Sequence, residues 1–224
     1  MTQKIILAGN AITAEVLFAY LRRDARYEIA GFIVDDEFVM QGAVGGPRKV
    51  GLSGAVNAFS TDIYRVIMAM GYNDLNRSRE VMCGRLKAMG YGVETYIHPD
   101  ARVYTDTPLG EGSVVLPGAV IEPHVRVGAN SMIWANVTLA HHCSVAENCW
   151  VASGATVSGK ASVKRNCFIG VNATIVNAVT VEEYCIVGAG ALITRNTKPS
   201  SVHLARSGEE HRFPSQDYVK FTGF

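Results

Sequence analysis

The chain is predicted to fold as a small parallel α/β unit followed by a parallel β-helix. Two observations predict this: strand-like and helix-like segments alternate up to Tyr96, and from Ile97 onward an aliphatic residue recurs at every sixth position without an insertion. Ile97, Val103, Leu109 and each sixth residue after them as far as Ile193 are aliphatic, and the residue four places after each is small or β-branched. Seventeen consecutive hexads of this kind, each with one large and one small inward side chain, bury their faces only by stacking coil on coil.

In the first part, residues 4–8 (Lys-Ile-Ile-Leu-Ala) read as a short buried strand, 11–23 as a helix, and 28–34 as a second strand that ends on Asp35 and Asp36. A glycine-rich loop over 42–54 follows. Residues 64–70 read as a third strand, 76–89 as an amphipathic helix with Val81, Leu86 and Met89 on one side, and 93–96 as the exit strand. Such alternation indicates a small, Rossmann-like parallel sheet. Sheets of this type take ligands outside the carboxyl ends of their strands, which here means residues 9–11, 35–36 and 71–74. The chain is thus expected to divide into 1–96, 97–198 and a tail, 199–224, whose Phe213, Tyr218, Phe221 and Phe224 would pack on a neighbour.

The 224 residues suffice for one or two domains with a sizeable core. A formal charge of +1 provides no attraction to nucleic acid or to an acidic membrane surface. The apolar run at the start is too short for a signal peptide, and no stretch approaches the roughly 18 apolar residues of a spanning helix. A cytoplasmic protein with neither membrane nor nucleic acid as partner is expected. Cys143, Cys149, Cys167 and Cys185 all fall in the small inward slot of the hexad, where free cysteine acts as a small hydrophobe. The stacking distance of about 4.8 Å would permit disulfides, but an intracellular setting makes them improbable.

With eighteen residues per coil, positions eighteen apart stack, and the fourth residue of each hexad forms three vertical columns of corners. Corners need a permissive backbone, often with φ > 0, which favours Gly, Asn and Asp. One column holds Asn130, Asn148 and Asn166, another Gly118, Asn136, Gly154, Asn172 and Gly190. The third reads Asp106, His124, His142, Lys160, Ala178 and Asn196, with His141 just before its second histidine. Two imidazoles and an amine on one edge, beside a histidine outside the core, make this edge the candidate for chemistry, although a corner histidine can also be structural.

Across nearly its whole length the sequence resembles the hexapeptide-repeat sugar acyltransferases, which comprise sialic-acid O-acetyltransferases and nucleotide-amino-sugar N-acetyltransferases. The segments that carry the likeness are Lys-Ile-Ile-Leu-Ala-Gly-Asn at 4–10, Gly-Phe-Ile-Val-Asp-Asp at 31–36, Ile-His-Pro at 97–99, Leu-Ala-His-His-Cys at 139–143, Phe-Ile-Gly-Val-Asn at 168–172 and Val-Gly-Ala-Gly-Ala at 187–191. The resemblance implies a left-handed coil, a homotrimer, and acetyl-CoA as acyl donor in the cleft between neighbouring prisms, with no metal. It sets His141 on the family's general base, with His142 beside it. Gly159, Val171, Gly188 and Ala189 fall on positions that line the pantetheine, and Gly9, Asn10, Asp35 and Asp36 on the nucleotide-sugar side.

Two positions depart from the family pattern. The residue after the base, commonly acidic, is His142 here, so the anion that would orient the imidazole must come from elsewhere or be lacking. The first loop, Gly-Asn-Ala-Ile-Thr-Ala at 9–14, has one glycine where a dinucleotide loop has three, and Ala11 would crowd a pyrophosphate. NAD is therefore not expected. The expected reaction is direct acyl transfer to a nucleotide-linked amino sugar, with His141 as base and a backbone N–H meeting the developing oxyanion. Transfer to a sugar hydroxyl, a zinc hydratase using His124, His141 and His142, and a non-catalytic scaffold with a ligand-sensing first domain are the competing readings. The hydratases of this fold carry two histidines five apart on one coil, and no such pair occurs here.

Overall fold

The computed structural model describes residues 2–40 and 46–222. The first part is a four-stranded parallel sheet built from β1 (Gln3–Ala8), β2 (Tyr27–Val34), β3 (Lys49–Gly51) and β4 (Arg65–Met68), in the order β3-β2-β1-β4. Helix α1 (Ile12–Leu21) buries Ala14, Leu17 and Leu21, packing with Phe32 of β2. Three features differ from the sequence expectation. Within the expected glycine-rich loop, β3 pairs with β2 and is followed by a short helix, α2 (Ala55–Ala58), while residues 42–45 of that loop lie outside the described residues. In α3 (Arg77–Ala88) the buried face is Arg79, Met82, Cys83 and Leu86, whereas Val81 is 59% exposed. That face keeps the three-to-four residue spacing of a half-buried helix, rotated from the stripe inferred from Val81. The expected exit strand contributes a single bridge, Val66 to Val93, before the coil begins at Tyr96.

The second part is a left-handed parallel β-helix with three faces. Partners along each face are eighteen residues apart except at the last rung of the first face, where Ile186 pairs with Val202: Met132 pairs with Val114 and Trp150, Thr138 with Val120 and Thr156, and Ser144 with Arg126 and Ser162. The first face has seven two-residue strands, the second six and the third four. The inward aliphatics and the small residues form one continuous core from Val115 to Ile193. One hexad departs from the pattern: the chain around Leu109 forms no strand, because Pro108 has no N–H to donate to a ladder. Leu109 still packs on the core, and Gly110 N–H still reaches Val127 O at 2.8 Å. Cys83, Cys143, Cys149, Cys167 and Cys185 are buried free thiols. The stacked thiols of Cys149 and Cys167 each donate to a carbonyl of the next coil, at Lys164 and Glu182, both at 3.0 Å.

The left-handed backbone occurs in all three corner columns; in the third it is adopted by His124, His142, Lys160 and Ala178, with φ between 58° and 65°, but not by Asp106 or Asn196 at its two ends. The α/β part lies on the first face, where Tyr96, Val114, Met132 and Trp150 join the cluster of Leu17 and Phe32. Residues 199–224 include a strand, Val202–His203, that extends the first face, and α4 (Ser215–Thr222), whose preceding segment brings Phe213 against His211 and Phe221. Phe224 lies outside the described residues. Among the described residues no helix is long and apolar enough to cross a membrane.

Candidate active site

The third corner column lies between the second and third faces, on the edge away from the face that the α/β part covers. There the His141 and His142 side chains are exposed, and the His124 and His142 rings stack with centroids 4.6 Å apart. Nδ1 of His141 is 3.3 Å from Nδ1 of His142. Glu122 supplies the nearest carboxylate, but it accepts the backbone N–H of His141, at 2.7 Å, rather than a ring N–H. The coil register could have found Glu122, since a step of eighteen from His141 lands on its neighbour, Pro123. The ring itself lies against Gly159: a Cβ on that residue would sit 2.7 Å from Cε1 and 2.9 Å from Nε2.

His141 therefore faces an imidazole and not a carboxylate. Only one of two facing Nδ1 atoms can carry the shared hydrogen. The pKa of His142 lies below the ordinary imidazole value, first through lost hydration and then through the positive fields of His124, His141 and Lys160. A neutral His142 can accept Nδ1–H from His141, which leaves Nε2 of His141 with a free lone pair. A neutral acceptor orients the ring as a carboxylate would, but stabilises its charged form less.

Because His142 binds its proton less readily when folded than when unfolded, the unfolded chain holds more protons below about pH 6.5, and stability falls as pH falls through that range. Asparagine suits the same left-handed corner, as Asn130 and Asn148 show. The melting temperature of His142→Asn is therefore expected to drop less than the parent's between pH 7 and pH 5. Equal slopes in a thermal-shift titration would remove His142 as the cause.

The other candidate residues separate into groups. Gly159 lies on the histidine edge, whereas Val171, Gly188 and Ala189 lie on the corner between the first and second faces. Val171 is 47% exposed, and Gly188 donates to His203 O at 2.7 Å beneath Leu204. A single chain thus divides these four positions between two edges of its prism.

At the carboxyl ends of the α/β strands is a cavity of about 350 Å³, lined by Gly9, Asn10, Asp35, Gly71 and Asn73 together with apolar Val34, Phe38, Met70 and Met82. Gly9 has φ +126°, and a Cβ there would meet Ala69 O at 2.6 Å, so only glycine lets the ends of β1 and β4 approach. Asp35 lines the cavity and pairs with Arg85. Asp36 does not line it; its carboxylate accepts the Ser53 hydroxyl at 2.6 Å and the Ser53 backbone N–H. Phe38, Met70 and Met82 carry no motif by which sequence alone would single them out. Among the described residues no group of three His, Cys, Asp or Glu side chains is placed to hold a metal ion.

Fold and site together define the class: an α/β unit ahead of a left-handed β-helix of hexapeptide repeats, with imidazoles gathered on one edge. Residues 92–202 match the family model described as the GMPPB C-terminal domain, and no curated protein matches the chain. The chain is similar to PerB from Caulobacter crescentus in complex with CoA and GDP-perosamine, at 26% identity and TM-score 0.81, over 92% of this chain and 95% of that one. It is similar to a histidine-to-asparagine variant of perosamine N-acetyltransferase from Caulobacter crescentus, at 23% identity and TM-score 0.82, again over 92% and 95%. The acetyltransferase domain of PglB from Neisseria gonorrhoeae FA1090 in complex with acetyl coenzyme A is similar at 24% identity and TM-score 0.78, over 92% and 97%. The fold is therefore that of acetyltransferases, in keeping with the family that the sequence resembles.

Proposed function

We propose that this chain is an acyl-CoA-dependent N-acyltransferase, acting with acetyl-CoA on the amino group of a nucleotide-linked sugar. The single observation that carries the reading is His141, exposed on the coil edge with its Nδ1 facing a histidine of depressed basicity. PerB, bound to CoA and GDP-perosamine at 26% identity, supports the choice of acceptor class. In this reading residues 1–96 bind the acceptor and 97–198 carry the transfer, as a cytoplasmic step of glycan biosynthesis.

Acetyl-CoA would supply the acyl group as a thioester. Gly159 fits that role, because its bare Cα leaves a flat floor beside the imidazole that any side chain would fill. His141 Nε2 takes the proton lost by the attacking amine, a step typically worth about 10² to 10⁴ in rate. No thiol of the chain is suited to hold the acyl group in between: Cys143, next to the pair, is buried, and that burial pushes its pKa up to about 12. Transfer is direct. The acceptor positions, Gly9, Asn10 and Asp35, lie with the α/β part on the first face, and His141 lies on the far edge, so a complete site needs the cavity of one copy and the histidine of another. A homotrimer of prisms satisfies this, with Val171, Gly188 and Ala189 of one copy facing Gly159 and His141 of the next.

The test of activity is thiol release from acetyl-CoA with GDP-, UDP-, dTDP- and CDP-linked 4-amino-4,6-dideoxyhexoses; release with none of them sinks the reading. A second experiment addresses the shared site. His141→Ala and Ala11→Trp, the latter filling the cavity, are each expected to be inactive alone. Subunits unfolded and refolded together in equal amounts would recover about a quarter of parental activity by random assortment around a closed ring. No recovery in mixed trimers would place both halves of the site in one chain.

A further inference from the structure

Among the described residues Arg79 is the largest fully buried side chain, and no carboxylate pairs with it. Its guanidinium is instead surrounded by oxygens of neutral groups. Nη1 donates to Gly71 O at 2.9 Å and to Asn76 Oδ1 at 3.0 Å. Nε and Nη2 reach Asn130 O at 3.3 and 3.2 Å, and Nη2 also reaches Cys149 O at 3.2 Å and Asn148 O at 3.4 Å. A buried cation without a counter-ion is costly unless every donor is met, and here all of them are. Burial lowers its pKa only to about 10, which leaves it charged at neutral pH.

The two sides of that fork belong to different parts of the molecule. Gly71 is a wall of the α/β cavity, while Asn130 and Asn148 are corner residues on successive coils and Cys149 follows the second of them. Between them run Asp74, Leu75 and Asn76, three consecutive non-glycine residues with φ of 49°, 47° and 68°. Such a run is strained and persists only where its surroundings over-determine it. Asn76 is itself fully buried and donates to Cys167 O at 3.3 Å, and Asn166 Nδ2 donates to Leu75 O at 3.2 Å. A lysine gathers its three donors on a single nitrogen; only the planar fork spans two rungs and the cavity wall together.

We infer that Arg79 is a positioning residue, which holds the Gly71–Asn73 wall of the acceptor cavity in fixed register with the β-helix. The inference rests on the proposed function for its catalytic consequence, but not for its structural one. The register matters because the cavity and the imidazole meet across copies, so any play between the α/β part and the coil is carried directly into the distance between amine and thioester.

The test uses the full chain as Arg79→Lys, with Asn76→Gly as a second variant that keeps the left-handed backbone and deletes the strut. Backbone hydrogen exchange over residues 70–76 is expected to speed up at least tenfold in both, with coil peptides over 150–193 unchanged. With the amino-sugar nucleotide that the parent turns over fastest in the panel above, KM for the acceptor is expected to rise at least tenfold, and KM for acetyl-CoA less than twofold. A merely structural residue would lower the melting temperature and leave that split absent at temperatures where the variants are folded. Unchanged exchange over 70–76, or an equal rise in both KM values, overturns the inference. If the parent turns over no acceptor, the proposed function fails while the exchange measurement still decides the role of Arg79.

Discussion

His141→Ala is expected to lose about 10² to 10⁴ in kcat, the usual share of a positioned general base, while the KM for acetyl-CoA changes little. The ring is exposed and bonded only to His142, so its removal opens no core. The fold of the variant should melt as the parent does, which separates lost chemistry from lost structure. Retention of more than about a tenth of kcat would contradict a base of this kind. His142→Asn is expected to lose less, since it removes an orienting acceptor and not the proton acceptor itself. Equal losses at both positions would mean that the two rings act as a pair.

The largest stability effect is expected in the coil. Ile169 is wholly buried, with Val151 and Val187 directly below and above it on the first face. Truncating a buried isoleucine to alanine costs about 2–5 kcal/mol, more where the site cannot collapse. Here it cannot, because backbone ladders on all three faces hold successive rungs about 4.8 Å apart. Ile169→Ala is therefore placed in the upper half of that range, a fall in melting temperature of roughly 7–20 °C for a chain of this size. Val171→Ala, two residues away and half exposed, serves as the control and should shift it by less than about 2 °C, as surface changes do. A small shift at Ile169 would mean that neighbouring coils relax into the gap.

The coil was legible because its sequence period matches its winding: six residues per side puts the same side chain in the same place on every turn. The histidine edge followed from the same arithmetic. Where one residue breaks the backbone rule the period misleads, as at Leu109 behind Pro108. The α/β part was legible in order but not in detail. Val81 sits on a helix that docks through Arg79, Met82 and Cys83, and an arginine on a buried face contradicts any hydrophobic reading until its carbonyl partners are seen. The partners on the coil lie 51 to 70 residues away in sequence, so no local pattern announces them. Asp35 and Asp36 look equivalent in the chain and differ because Arg85 pairs with the first and Ser53 folds back on the second.

The strand Val202–His203 extends the first face past Ile186 and Val187, while Thr197 N–H bonds Thr180 O and Asn196 caps the Thr180 N–H on the third. A stack of identical rungs offers at its end the same unpaired backbone that each rung offered to the next, an open template for another molecule. By doubling back over two of the three terminal edges, residues 196–203 occupy the groups on which an incoming chain would nucleate. A protein shortened to end before Asn196 would uncover those groups.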